Sequence, residues 1–228
     1  MNILIIGSRG RMGSTLCNIL SGSKHTLIGI DTHNKDILDD LVDHADLAII
    51  ATPFDVTVEY LEHLSSRLTC IEVTSAKNAM HAFKNRVISI HPLFGPGSFG
   101  DKDLRNIVFI TDISPTGSLK LVRELFKGFT VIDMTADEHD DLVSKIQVIP
   151  YIMSLLADQV NADTHLSTRS KCVLDSMAAI CREQNWTVLM DTITRNPYSI
   201  GILKAIEEKM SRLGGELTDR CSDIRIQH

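Results

Sequence analysis

Asn2-Ile3-Leu4-Ile5-Ile6 opens the chain and runs directly into Gly7-Ser8-Arg9-Gly10-Arg11-Met12-Gly13. Four consecutive apolar residues bounded by glycine predict a buried parallel strand. Ser14 to Leu20 then resumes with apolar side chains at helical spacing, so a strand passes into a helix through a glycine loop. Gly10 and Gly13 match the second and third glycines of a dinucleotide-binding fingerprint. There the missing side chains admit a pyrophosphate to the backbone and let helix and strand pack closely. Ser8 occupies the first position, with Gly7 one residue early. A loop of this kind feeds a helix N-terminus, whose free N–H groups and dipole suit an anionic phosphate.

A purely structural α/β unit also uses glycines in such a turn, so the downstream sequence carries the distinction. His25-Thr26-Leu27-Ile28-Gly29-Ile30 reads as a second strand and ends in Asp31. About twenty residues beyond the glycine loop is where an acid accepts hydrogen bonds from a ribose 2′-hydroxyl. That pairing predicts a nicotinamide dinucleotide, and an acid at Asp31 would repel a 2′-phosphate, which favours NAD over NADP. Gly7, Ser8, Gly10, Arg11, Met12, Gly13 and Asp31, with Thr52 and Pro53 at the end of the next apolar strand, are the expected cofactor-binding residues.

The chain has 228 residues, 43% of them hydrophobic, a formal net charge of −6 and a pI near 5.8. That length allows one large domain or a domain with a smaller companion. The acidic balance argues against nucleic acid, whose phosphates call for a basic face. Five widely spaced cysteines, without a Cys-x-x-Cys or a histidine at zinc-ligand intervals, predict reduced thiols and no metal site. No apolar run reaches the length of a membrane span, and the opening run is too short for a secretory core, so the expected location is the cytoplasm.

Further apolar strands are expected at Asp46 to Pro53, Thr69 to Val73, Arg86 to Ile90, Asn106 to Ile110 and Thr130 to Met134. Helical spacing over Val56 to Leu64 and Ser118 to Phe126 lies between them. From Asp137 onward only helical spacing remains, broken at Pro150 and Pro197. These patterns predict an α/β, Rossmann-like, mostly parallel sheet domain over 1–135, followed by a smaller all-helical domain over 136–228. The second is small for an independent core and is expected to dock on a second copy. In an open parallel sheet, ligands bind beyond the carboxyl ends of the strands. The glycine loop, the segment around Ser75 and the segment around His91 are therefore expected to share one crevice.

His91-Pro92-Leu93-Phe94-Gly95-Pro96 resembles the corresponding motif of the prephenate dehydrogenase family. So do Arg11-Met12-Gly13, Thr74-Ser75-Ala76-Lys77-Asn78, and Glu138-His139-Asp140 leading to Ile146-Gln147. The resemblance covers most of the chain. It implies a nucleotide-binding domain followed by a helical domain that forms a homodimer, and an NAD-dependent oxidative decarboxylation of prephenate to 4-hydroxyphenylpyruvate in tyrosine synthesis. It also implies His91 as general base toward the ring hydroxyl, with Ser75 holding that hydrogen-bond geometry. Alternatively, His91 satisfies a loop carbonyl and Ser75 caps a helix.

His139 and Gln147 are about 800° apart at 100° per residue, so they fall within about 80° on a helix face and are expected to meet substrate together. Lys77 reads either as an exposed helix lysine or as a positive group near the crevice. The family grips the ring carboxylate with an arginine six residues before the proline of an Asn-Pro pair. Here Asn196-Pro197 puts Asp191 at that place. Arg195, Arg182 and Arg169 are the candidates for a displaced grip, and Arg195 and Arg182 are the expected substrate-binding pair. Arogenate, with an amine replacing the keto group, is the alternative substrate. A non-catalytic NAD-binding regulatory dimer that has lost the arginine is the alternative function.

Overall fold

The computed structural model describes residues 1–95, 100–101 and 104–226, with side chains described to residue 221. Pro96 of the His91 motif lies outside the described residues. The first element is the strand β1 (Asn2–Ile6), followed by α1 (Arg11–Ser21), β2 (Thr26–Ile30), the short helix α2 (Leu38–Val42), β3 (Leu47–Ile50) and α3 (Phe54–Leu64). Next come β4 (Cys70–Glu72), a 3-10 turn at Asn78–Phe83, β5 (Ile88–Pro92), β6 (Asn106–Ile110), α4 (Leu119–Leu125) and β7 (Thr130–Met134). Every later described element is helical: α5 (Ala136–Val143), a π-helical turn at Ser144–Val148, α6 (Ile149–Val160), α7 (Arg169–Glu183), α8 (Trp186–Thr194) and α9 (Ser199–Ile226).

The seven strands form one sheet in the order β2-β1-β3-β4-β5-β6-β7. All neighbours are parallel except β5 and β6, where His91 pairs with Val108 in antiparallel register. Both faces of the central strands are covered. Leu4 and Ile6 of β1 enter one apolar core with Ile50, Leu61 and Val108, whereas Ile3 and Ile5 enter the other with Leu16, Ile49 and Ile90. Alternate side chains of a strand point to opposite faces, so a doubly covered strand has to be apolar throughout. A third cluster, built from Val148, Ile152, Leu189 and Ile193, holds the helical region together.

The expected break at Pro150 does not occur. Proline lacks an N–H and its ring clashes with the carbonyl four residues back. Here the helix runs on from Ala136 to Val160 because the residues just before the proline form the π-turn, in which the Ile149 N–H reaches the Ser144 carbonyl. The wider turn accommodates the proline without ending the helix. At the other end of this helix Thr135 and Glu138 form a reciprocal capping box.

Candidate active site

The glycine loop is set by close packing. Gly7 has φ +81°, and a Cβ on it would lie 2.5 Å from the carbonyl oxygen of Ala51, just past the end of β3. A Cβ on Gly13 would lie 2.0 Å from the Gly7 carbonyl oxygen, so α1 can approach β1 only because residue 13 has no side chain. The Ser8 side chain lies over Gly29 of β2, where an added Cβ would come within 2.7 Å of the hydroxyl oxygen. Asp31, at the end of β2, accepts hydrogen bonds from the backbone N–H of Arg9 at 2.9 Å and of Thr32 at 2.8 Å. Those contacts, the Arg9 N–H foremost, hold its carboxyl below the ordinary value. The carboxylate is thus fixed beside the loop in its charged form.

A cleft of about 490 Å³ opens beyond the carboxyl ends of β1, β3, β4 and β5. Gly10, Arg11, Met12, Thr52 and Pro53 line its loop side, while Ser75, His91 and Phe94 line its middle. Gln147, Tyr151, Asn185, Val188, Asp191 and Thr192 form the wall contributed by the helices. Gly7, Ser8, Gly13 and Asp31 stand outside this lining, the two glycines acting by admitting α1 beneath it. The guanidinium of Arg11 crosses the cleft to donate a hydrogen bond to the Glu183 carbonyl at the end of α7. The 3-10 turn after Lys77 has no side-chain cap, which leaves the Ser75 hydroxyl out of that role.

His91 is almost wholly buried, and its Nδ1 lies 2.9 Å from Nε2 of His139. The His139 Nδ1 lies 2.8 Å from Asp140 Oδ1. Asp140 also accepts the backbone N–H of Lys77 at 3.0 Å and of Asn78 at 2.9 Å. Beneath this row, Lys77 is fully buried and donates to Glu72 Oε1 and to the Ile90 carbonyl, each at 2.7 Å. Glu72 also accepts from the hydroxyls of Ser89 and Thr74. Burial pushes the Lys77 amine down from the usual lysine value, against the pull of Glu72. Burial, with the neighbouring His139 and Lys77, holds the His91 imidazole well below the ordinary histidine value, so the ring is neutral at neutral pH.

Several expectations need correction. His139 does not line the cleft: it is fully buried behind His91. The angular count fixes only the shared face of the helix: eight residues also separate the two by about 12 Å along its axis, which leaves His139 at the level of His91 and Asp140 and carries Gln147 to the cleft. Gln147 does reach the cleft, where its Oε1 is buried with no hydrogen-bond partner in the described residues. Lys77 is neither exposed nor in the cleft. Arg182 is exposed and pairs with Asp158 at 2.6 Å. Arg195 pairs with Asp191 at 3.1 Å and Asp55 at 2.7 Å and stacks on the Phe54 ring. Neither arginine is in the lining, and Arg169, at the start of α7, is exposed. Among the described lining residues Arg11 is the one lysine or arginine, against the acids Glu183 and Asp191.

Sequence reasoning did not find Asp140, Glu72 or the Arg11 bond to α7. The first had a signal in its place directly after His139. The other two depend on contacts between distant segments.

Among the described residues no group of three or more His, Cys, Asp or Glu side chains is arranged to hold a metal ion. No described helix is long and apolar enough to cross a membrane. No protein-family model matches the chain. The chain is 26% identical over 224 residues to the T-protein of Haemophilus influenzae, covering 90% of this chain and 59% of that protein. The chain thus spans less than two thirds of that relative's length. Its structure superposes on that of Synechocystis arogenate dehydrogenase with a TM-score of 0.66 at 19% identity, covering 96% of this chain and 91% of that one. For prephenate dehydrogenase from Aquifex aeolicus the TM-score is 0.67 at 17% identity, with 96% and 92% covered. In fold, and in the motifs that the fold gathers around one cleft, this chain is similar to the arogenate and prephenate dehydrogenases.

Proposed function

We propose that the chain catalyses the oxidative decarboxylation of prephenate to 4-hydroxyphenylpyruvate, a step of tyrosine synthesis, with NAD as the oxidant. The observation that carries this reading is the placement of a neutral, buried His91 in the same cleft as the glycine loop. Gly7, Gly10 and Gly13 leave room for a pyrophosphate at the start of α1, and Asp31 offers a charged acceptor for a ribose hydroxyl. A bound nicotinamide supplies a two-electron hydride acceptor.

The protein's own part is to orient the ring and to handle one proton. As hydride leaves the carbinol carbon, His91 accepts the hydroxyl proton as general base. The bond to the ring carboxylate then breaks, carbon dioxide departs, and its electron pair makes the ring aromatic. The resulting phenolate oxygen takes the proton back from His91. Ser75 holds the hydroxyl in line, and Gln147 presents an unpaired acceptor to the substrate.

Asp191 favours a second reading within the same chemistry. The acid lies in the lining while the expected arginines do not, which suits a substrate with a cationic amine, as in arogenate. A homodimer through the helical region belongs to the proposal. It is supported by the exposed apolar stripe of Ile200, Leu203, Met210, Leu213 and Leu217 along α9. Sedimentation of the purified protein at two concentrations tests it, with a monomer at both contradicting it.

Steady-state assays with prephenate and arogenate, each with NAD and NADP, test the enzymatic reading. NAD reduction with either substrate supports it. Binding of NAD without reduction by either substrate would favour the regulatory dimer.

A further inference from the structure

We propose that Asp140, acting through His139, is a positioning residue that fixes the tautomer of His91 and leaves Nε2 of that ring as the proton acceptor. The inference rests on His91 being the base, and it follows from counting donors. Both oxygens of Asp140 face groups that can only donate, the backbone N–H of Lys77 and of Asn78. A protonated carboxyl would set an O–H against one of them, so Asp140 is ionised. Burial raises its pKa, but the hydrogen bonds from His139, Asn78 and Lys77 outweigh that and leave it lowered.

An ionised Asp140 requires His139 to carry its proton on Nδ1. His139 is itself held neutral by burial, against the opposing pull of Asp140, so its Nε2 is a lone pair. The atom 2.9 Å away, Nδ1 of His91, must then be the donor. A neutral His91 with its proton on Nδ1 has a free lone pair on Nε2. The same row has a second stable arrangement. One added proton on the histidine pair makes His139 a donor through Nε2, reverses the bond, and moves the His91 proton to Nε2. The base is then blocked whichever ring is formally charged, and the two histidines titrate as a pair.

The charged groups around the pair are Asp140 on α5, Glu72 at the end of β4 and Lys77 at the start of the following 3-10 turn, all of them buried. The ion pair of Lys77 with Glu72 keeps in place the turn whose two amides hold Asp140. The Asn196 side chain adds a hydrogen bond to the Asp140 carbonyl at 2.8 Å, which ties the α8–α9 junction to the same residue.

The direct test is nitrogen-15 NMR of the histidine-labelled chain at neutral pH, with the His91 signals identified by their loss in His91→Asn. The expected result is Nδ1–H on both His91 and His139; Nε2–H on His91 would overturn the proposal. This readout does not need turnover, so it stays decisive even if neither substrate is oxidised, an outcome that would instead remove the proposed function.

Where turnover is measured, Asp140→Asn is expected to lower kcat about 10²- to 10⁴-fold, as wrong-tautomer variants of histidine bases do. KM should stay within about threefold, and the acid limb should move to lower pH because a negative charge has been removed. His139→Gln, which can still accept from His91, should retain at least tenfold more kcat than His139→Leu. Equal rates in those two variants, both with native circular dichroism, would overturn the proposal, as would an Asp140→Asn enzyme of unchanged kcat and pH profile.

Discussion

Arg195 Nε lies 3.1 Å from Asp191 Oδ1, and the same guanidinium reaches Asp55 at 2.7 Å. Two carboxylates therefore share one cation, and of these three groups it is Asp191 that lines the cleft. Under the arogenate reading, Asp191 is the group on this wall that meets the substrate ammonium. Changing Asp191 to Asn should shift the ratio of kcat/KM toward prephenate and away from arogenate by about tenfold, the worth of one hydrogen bond to a charged group. An unchanged ratio would remove Asp191 from substrate selection.

As the proposed general base His91 acts in its neutral form, so activity is expected above its pKa and is lost as pH falls through it. Burial places that pKa well below the ordinary 6.5, so kcat/KM should be level through neutrality and decline only in acid. His91→Asn should keep its affinity for NAD and lose about 10²- to 10⁴-fold in kcat. A rate that halves on going from neutral pH to 6.5, or near-normal turnover in the variant, would contradict this role.

Gly13→Ala places a methyl group 2.0 Å from a backbone oxygen, where no side chain is free to yield. The helix must shift off β1, at a cost of about 1–3 kcal/mol or more from overpacking. Urea unfolding should show the lost stability and a nicotinamide titration a weakened site. A variant with both unchanged would show that the loop has slack this structure lacks.

Lys77 and Glu72 form an ion pair with both side chains fully buried. Replacing Lys77 by Met leaves Glu72 without its counter-charge and should cost about 3–5 kcal/mol. Adding Glu72→Gln should restore a large part of that loss, because the remaining hydroxyl donors can be met by an amide oxygen. Equal stability of the single and double variants, read from urea midpoints, would show that the pair is not coupled.

β1 and β3 were legible because a strand covered on both faces must be apolar without interruption, and these runs ended at Gly7 and just before Pro53; β7, with Thr130, Ile132 and Asp133 exposed, was legible only from its β-branched residues. Gly7, Gly10 and Gly13 were legible for a steric reason, and His91 for its place at a strand end. His139 was misplaced because helical spacing gives the face a residue shares and not its depth along the axis, and His139 sits at the level of the buried His91. Arg182 and Arg195 were misplaced because Asp158 on α6 and Asp55 on α3 come from helices whose neighbours sequence spacing does not give, whereas the pair of Arg195 with Asp191 one turn earlier was readable. Lys77 could not be assigned without seeing Glu72 across from it.

The most direct test of the central claim is the stoichiometry of a single assay. The purified chain is incubated with NAD and prephenate, and in parallel with NAD and arogenate, while reduced nicotinamide and released carbon dioxide are measured together. The proposed reaction predicts that the two products appear one for one with at least one substrate, and that both signals fall together in His91→Asn. Failure of the chain to reduce NAD with either substrate, or reduction that His91→Asn leaves intact, would contradict it.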